Sequence, residues 1–302
     1  MPFAAHQAET EVQGGMTEHA HPRAQRQRLG AELRRLRTLA GLSGREVGRR
    51  TGISHPNVSR IENGQVVPSL PQVKAWAGVV GLPPAELARL TGMTEAALTE
   101  VTTYRSRLQA GLPAMQHDVR ELESTTRVLR NFSLTTVPGL LQTASYARHV
   151  LSLTPDVPAD EVPEAVAARM ERQSGLADPS RQFEFIVTDA ALQWVPEGAA
   201  PGMLPEQLNR IAALAGLTNV SVAVVRAGVP TQVVPWCGFV LYDERDPGYE
   251  PFVIVETPHA AIYVSDPDDV DIYRRQLAAL CRTALSGDGA VAFIRAMAAR
   301  RP

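Results

Sequence analysis

The stretch "SGREVGRRTGISHPNVSRIENG", residues 43–64, constrains the fold more than any other part of the chain, because it admits two very short helices and little else. Ser43 with Glu46 three residues on has the capping-box spacing, in which each side chain accepts the other's free backbone N–H. Gly52 ends that helix. Ser54 caps the next one, whose first turn tolerates Pro56 because the early helical N–H groups have no intrahelical partner to lose. Ile53 before the cap and Val58 four residues after it can form a hydrophobic staple, and Asn63-Gly64 stops the helix. At 100° per residue, Val58 and Ile61 define the inward stripe. Pro56, Ser59, Arg60 and Asn63 then point outward, and His55 projects from the exposed N-terminus.

Helices flank this pair. "RLGAELRRLRTLAGLS" places Leu29, Leu33, Leu36 and Leu39 at helical spacing and Gly41 as its C-cap. Ser69 caps a further helix in "SLPQVKAWAGVVGLPPAELARLTG", and Gly81 ends it. Trp76 there, beside Val73, Val79 and Val80, is expected in the core, since large aromatics are usually buried. Two helices joined by a Gly-containing turn, the second presenting Arg, His and small polar groups outward, have the form that enters a DNA major groove.

Charge agrees with this. From His21 to Glu62 ten arginines face three glutamates, a net of +7, whereas the whole chain of 302 residues carries −2 and the remainder therefore −9. The asymmetry suggests a basic module facing a polyanion and an acidic body with another task. The chain is long enough for two domains. Cys237 and Cys281 stand far apart with no CxxC or His pair nearby, so a reduced cytoplasmic protein without structural zinc or cofactor is the simplest expectation. No apolar run approaches a membrane span, and the first 25 residues lack the apolar core of a signal peptide. The polar leader, 1–24, is expected to be disordered, with Met16 a second candidate start and His6, His19 and His21 too sparse for a metal site.

Past Gly92 the pattern changes. Residues 93–115 are expected to be a helical connector, and 116–302 a mixed α/β (α+β) domain. "STTRVLRNF" is expected to close a helical stretch, Ser133 to Val137 to be a strand, and Thr143 to cap a helix. Further helices fall at roughly 160–175 and 203–215, with two closing helices near 267–286 and 288–300. "RQFEFIVTD", "NVSVAVV", "CGFVLYDE", "FVIVET" and "AIYVS" are β-rich and bounded by turn residues.

Residues 28–91 resemble the five-helix domain of phage repressors and xenobiotic-response-element type regulators. Gly41, Gly52, the Ser54 cap, the Ile53, Val58 and Ile61 core positions and "IENG" all fall at that family's places. The resemblance implies base contacts from His55, Pro56 and Arg60, with Ser54 and Asn57 nearer the phosphates. The full candidate DNA-binding set is Ser43, Arg45, Ser54, His55, Pro56, Asn57, Ser59, Arg60 and Asn63. Arg60 can bond both O6 and N7 of a guanine. Two positions depart from the family pattern. Gly44 stands where a phosphate-clamping glutamine is common, so Arg45 would have to substitute, and His55 stands where another glutamine is common. Arg37 and Glu62 match as an ion pair between the first and third helices.

Behind this module, "VPGLLQT", "ARMERQSGL", "FEFIVTDAALQW", "LPEQLNRIAALAGLTNVSVAVV" and "FVIVET" resemble, in order, a domain of unknown function found in many actinobacterial regulators. Asp189 replaces the Glu usual in its "Glu-Ala-Ala-Leu" block. The resemblance implies a ligand-binding domain and a small partner protein encoded nearby. Gln142, Tyr146, Arg169, Arg172 and Gln173 lie in its best-matching blocks and are candidate ligand-binding residues. Arg169, Arg172 and Gln173 share one helical face, where an anion could bind or where internal ion pairs could form.

A phosphate loop, a GxSxG elbow, an HExxH and a Cys/His pair are absent from the sequence, "SGDGA" at 286–290 fits a helix-joining turn, and Glu256 with His259 fits a strand-end turn, so no enzyme is expected. The sequence thus points to a homodimeric, sequence-specific regulator of double-stranded DNA with no membrane attachment, whose C-terminal domain senses a signal, a small-molecule effector or a small regulatory partner protein. The alternative is an antitoxin-like or developmental component controlled by a small partner protein.

Overall fold

The computed structural model describes residues 22–155, 157–247 and 249–300. The 1–24 leader, with Met16 and its three histidines, lies outside the described residues apart from its last three positions, which open the first helix.

Five helices form the N-terminal region: α1 (Pro22–Leu39), α2 (Gly44–Thr51), α3 (His55–Glu62), α4 (Leu70–Val80) and α5 (Pro84–Leu98). Leu29, Leu33, Leu36, Val47, Val58, Ile61, Val73 and Leu90 pack around Trp76, which is fully buried. Leu39, expected on the same stripe, is exposed. It lies about 80° round the wheel from Leu29, at the border of the face that Leu33 and Leu36 continue. Ser69 and Gln72 make both bonds of a capping box at α4, and Gly81 ends that helix in the left-handed conformation.

Without an intervening loop, α5 gives way to β1 (Thr99–Thr103), followed by α6 (Tyr104–Arg107) and α7 (Leu112–Ser124). The 93–115 stretch expected as a connector is therefore the end of α5, a strand of the C-terminal sheet and the start of α7. Next come β2 (Thr126–Ser133), α8 (Ala144–Ser152), α9 (Val162–Arg172), β3 (Gln182–Thr188), α10 (Asp189–Gln193), α11 (Met203–Leu214) and β4 (Val220–Val225). The chain closes through β5 (Phe239–Arg245), β6 (Phe252–Glu256), β7 (Ala260–Val264), α12 (Pro267–Cys281) and α13 (Gly287–Ala299).

One seven-stranded sheet has the order β1-β7-β6-β5-β2-β3-β4. β2, β3 and β4 are parallel and linked by helical crossovers, while β5, β6, β7 and β1 add antiparallel strands at the other side. Side chains alternate between two cores, as the two-residue period requires. Phe183, Phe185, Val187, Tyr242 and Ile254 face α11 and α13, whereas Phe132, Ile186, Leu241, Val253 and Val255 face α12.

The segment "TRVLRNFS", expected to be helical, is the central strand β2, and of the expected strand 133–137 only Ser133 belongs to a strand. The apolar spacing of Val128, Leu129 and Phe132 imitates a helix. Placement between β5 and β3 overrides it, with Leu129 feeding one core and Phe132 the other. Among the described residues no helix is long and apolar enough to cross a membrane.

Candidate nucleic-acid interface

The short helices α2 and α3 are held by close backbone approach. A Cβ on Gly48 would lie 2.6 Å from the Ile53 carbonyl oxygen, and one on Gly30 only 2.4 Å from that of Ile61, so α3 lies directly against α2 and α1. Between α2 and α3, Gly52 adopts φ 76°, a conformation costly to any residue with a Cβ. Ile53 and Val58 are both buried in one cluster, as the staple requires. Arg37 fixes the other side. Its Nε and Nη2 donate to the two Glu62 oxygens at 2.5 and 2.9 Å, and its Nη1 donates to the Leu42 carbonyl at 2.8 Å. The Arg37–Glu62 pair is thus a structural clamp between α1 and α3.

Both expected caps differ in detail. Ser43 Oγ accepts from the Glu46 N–H at 3.1 Å, but the Glu46 carboxylate turns to Arg49 and Arg50, at 2.8 and 2.7 Å, and not back to Ser43. Hydrogen bonds from Arg50, then Arg49, hold the Glu46 carboxyl below its ordinary range. Ser54 has the extended backbone of an N-cap, yet its side chain makes no capping bond. Its hydroxyl therefore stays available at the surface, beside the outward-facing first N–H groups of α3.

On α3 and its C-cap, His55, Pro56, Ser59 and Asn63 are exposed and Asn57 and Arg60 are half-buried. Ser43 and Arg45 of the α2 entry are exposed as well. Among the described residues neither Arg45 nor Arg60 has a carboxylate partner, and two arginines share the single carboxylate of Glu46. The surface is accordingly cationic. A hollow of about 500 Å³ runs between the two helices, lined by Arg45, Gly48, Arg49, Gly52, Ile53, Ser54 and His55. Oriented donors and positive charge around a helix N-terminus are what a phosphate anion needs.

The C-terminal candidates also come together, in a buried polar cluster between α7, α8 and α9. Tyr146 is fully buried, its hydroxyl accepting from the Val137 N–H at 3.5 Å, and burial pushes its phenol up to about 12. Gln142 Nε2 donates to the Val137 carbonyl at 2.8 Å, and Gln173 Nε2 to the Gln142 carbonyl at 2.6 Å. Arg172 meets Glu123 through Nη2–Oε1 at 2.6 Å and Nε–Oε2 at 3.1 Å, and its Nη1 donates to Gln116 Oε1 at 2.6 Å. Arg169 donates to Gln116 and Gln142.

Gln116 and Glu123 escaped sequence reasoning. They sit on the buried stripe of α7 with Leu112 and Met115, and polar residues at apolar-stripe positions were the available signal. Glu256 ends β6, and its carboxylate accepts from Arg107 at 2.9 Å. "SGDGA" supplies the N-cap and first turn of α13.

A family model described as "Helix-turn-helix domain" matches residues 28–100, and one described as "Domain of unknown function (DUF5753)" matches residues 116–296. No curated protein matches the chain. A helix-turn-helix domain implies DNA binding, and no catalytic family was identified. The second match spans more than half of the chain, which therefore belongs to the family defined by that domain of unknown function, here carried behind a helix-turn-helix domain.

Proposed function

We propose that the protein is a sequence-specific, DNA-binding transcriptional regulator that acts as a homodimer and whose C-terminal domain senses a signal. The outward face of α3 carries the reading: Arg60, without a counter-ion among the described residues, and the exposed His55, Pro56, Ser59 and C-cap Asn63, on a helix clamped by Arg37–Glu62. Arg60 contacts a base, Ser54, Asn57 and Arg45 serve the phosphates, and Ser43 lies at the flank. One helix of this size reads too few base pairs for strong specificity, so two copies, with recognition helices about 34–36 Å apart, supply the rest.

Selection of bound fragments from a random duplex library, with wild type and Arg60→Ala, tests this. A palindromic motif that relaxes at one base position in the variant supports dimeric readout, whereas an unchanged motif removes Arg60 from the reading residues.

One observation keeps the partner-protein reading beside it. Trp236 is 84% exposed in the loop before β5, next to Val234, whose carbonyl accepts from Gln276 on α12 one turn from the exposed Ile272. Such an apolar patch suits a protein contact. Sedimentation of wild type and Trp236→Ala separates the two readings. A dimer lost in the variant assigns the patch to a second copy, and an unchanged dimer leaves it to a different protein.

A further inference from the structure

Arg169 lies near the end of α9, half-buried, yet among the described residues it lacks a counter-charge. Its Nε donates to Gln116 Oε1 at 3.2 Å and its Nη1 to Gln142 Oε1 at 2.7 Å. Both acceptors are neutral amides, and both are 2% exposed. Among the described residues Nη2 has no partner and no carboxylate forms an ion pair with this guanidinium.

The nearby anions are spent elsewhere. Glu123 is held bidentately by Arg172, and Glu256 is held through one bond by Arg107. One positive charge is left over inside the cluster, and Arg172 repels it. Burial first, and that repulsion second, push Arg169 down to about 10, which still leaves it protonated at neutral pH. An interior cation fed by two neutral amides is expensive to keep. Arg169 is not sealed, since the residue is only half-buried, and Nη2 is the guanidinium nitrogen left without a partner among the described residues.

We propose that Arg169 is the anion-recognition residue of a ligand site in the C-terminal domain, and that the ligand presents a carboxylate. A single missing negative charge and a single unpartnered guanidinium nitrogen, Nη2, match a singly charged carboxylate. A phosphate dianion would overshoot the charge.

The site is wired toward the DNA-binding region. Tyr104 and Glu256 act electrostatically on Arg169. Tyr104 opens α6 directly after β1, its N–H donates to the His259 carbonyl at 2.7 Å, and Arg107 three residues on holds Glu256. β1 in turn continues α5 of the helix-turn-helix region with no residue between. An anion at Arg169 therefore competes for the segment that ties α5 to the sheet. This step rests on the proposal that the domain senses a signal.

The test uses the full-length protein and its Arg169→Gln variant. Both are titrated with acetate, benzoate and succinate, with chloride at matched ionic strength and inorganic phosphate as comparisons, while the unfolding midpoint is followed. A saturable rise with a carboxylate in wild type, absent in the variant, is expected. The variant without ligand should melt at or above wild type, because it loses an uncompensated charge and keeps a side chain able to donate to Gln116 or Gln142. No carboxylate response in wild type, a response kept by the variant, a response to phosphate alone, or a variant melting below wild type would each overturn the site. Affinity for the selected duplex is measured in the same samples. Carboxylate binding that leaves DNA affinity unchanged upholds the site and removes the sensing role.

Discussion

The His55 imidazole lies over Gly44, such that a Cβ on Gly44 would meet its Cδ2 and Nε2 at 3.8 Å. These are the two positions at which the chain departs from the glutamines common in repressor-like domains, and they are neighbours. The small residue opening α2 leaves space for the ring at the start of α3. A glutamine at 44 would restore a phosphate clamp but crowd that ring. Gly44→Gln is accordingly expected to leave the melting temperature within a few degrees and to alter the selected duplex motif at the base nearest His55. Duplex selection with the variant checks both the motif and the partnership, and an identical motif would separate the two residues.

Gly48 has a different duty. Its missing side chain lets α2 touch the backbone before α3, and the 2.6 Å separation from the Ile53 carbonyl cannot be relieved by turning a side chain. Gly48→Ala should destabilise the helix-turn-helix region by about 1–3 kcal/mol, as overpacking does elsewhere, despite the better helix propensity of alanine. Gly44→Ala, with Val58 Cγ1 at an ordinary 3.5 Å, is the control that should be tolerated. Thermal unfolding of the two variants side by side decides it.

What was legible in the chain beforehand follows from how local the signals are. Gly52, Gly81, the Ser69 cap and the Val58 and Ile61 stripe act within one or two turns, so the boundaries of α2, α3 and α4 could be read directly. β2 could not, because Val128, Leu129 and Phe132 keep helical spacing and only the strands on either side make an extended chain preferable. The site behaved likewise. Arg169 and Arg172 were visible as one face of α9, but the Glu123 that neutralises only the second lies 49 residues away from it in sequence. The contact of His55 with Gly44 was hidden too, although each residue stood out alone.

Among the described residues Arg45 and Arg60 both lack counter-ions, yet the proposal gives them separable roles. Arg45→Ala should weaken binding to all duplexes alike and lower the slope of log affinity against log salt by about 1, since one phosphate contact is lost. Arg60→Ala should instead cost about 1–3 kcal/mol on the preferred duplex and much less on others. Titrations of a selected and a scrambled duplex at several salt concentrations measure both quantities.

Arg172 is the structural counterpart of Arg169. It and Glu123 are 9% and 10% exposed, and removing the cation strands a carboxylate in the interior. Arg172→Gln should cost about 3–5 kcal/mol, the penalty for breaking a buried pair from one side. Replacing both partners, Arg172→Met with Glu123→Leu, should recover much of the loss. Denaturant unfolding of the single and double variants gives the coupling, and additive losses would mean that the pair is not a unit.

Glu32 makes the stability of the helical region depend on acid. On α1 it accepts from Arg35 Nε and Nη2, each at 2.8 Å, and from Arg89 of α5, so one carboxylate ties the first helix to the last. The hydrogen bond from Arg35 is the largest influence, burial opposes it, and Arg89 adds to it, holding the carboxyl at about 2 against an ordinary 4.5. Because the folded value is the lower one, the unfolded chain takes up the proton first as pH falls. The stabilisation is therefore complete above about pH 4.5 and is lost progressively toward pH 2. Both arginines are largely exposed, so solvent screening limits the effect to roughly 0.2–1 kcal/mol. Glu32→Gln should melt slightly below wild type at pH 7, and the gap should close between pH 4.5 and 2. A gap that stays constant across that range would show that the Arg35–Glu32–Arg89 tie contributes through packing rather than charge.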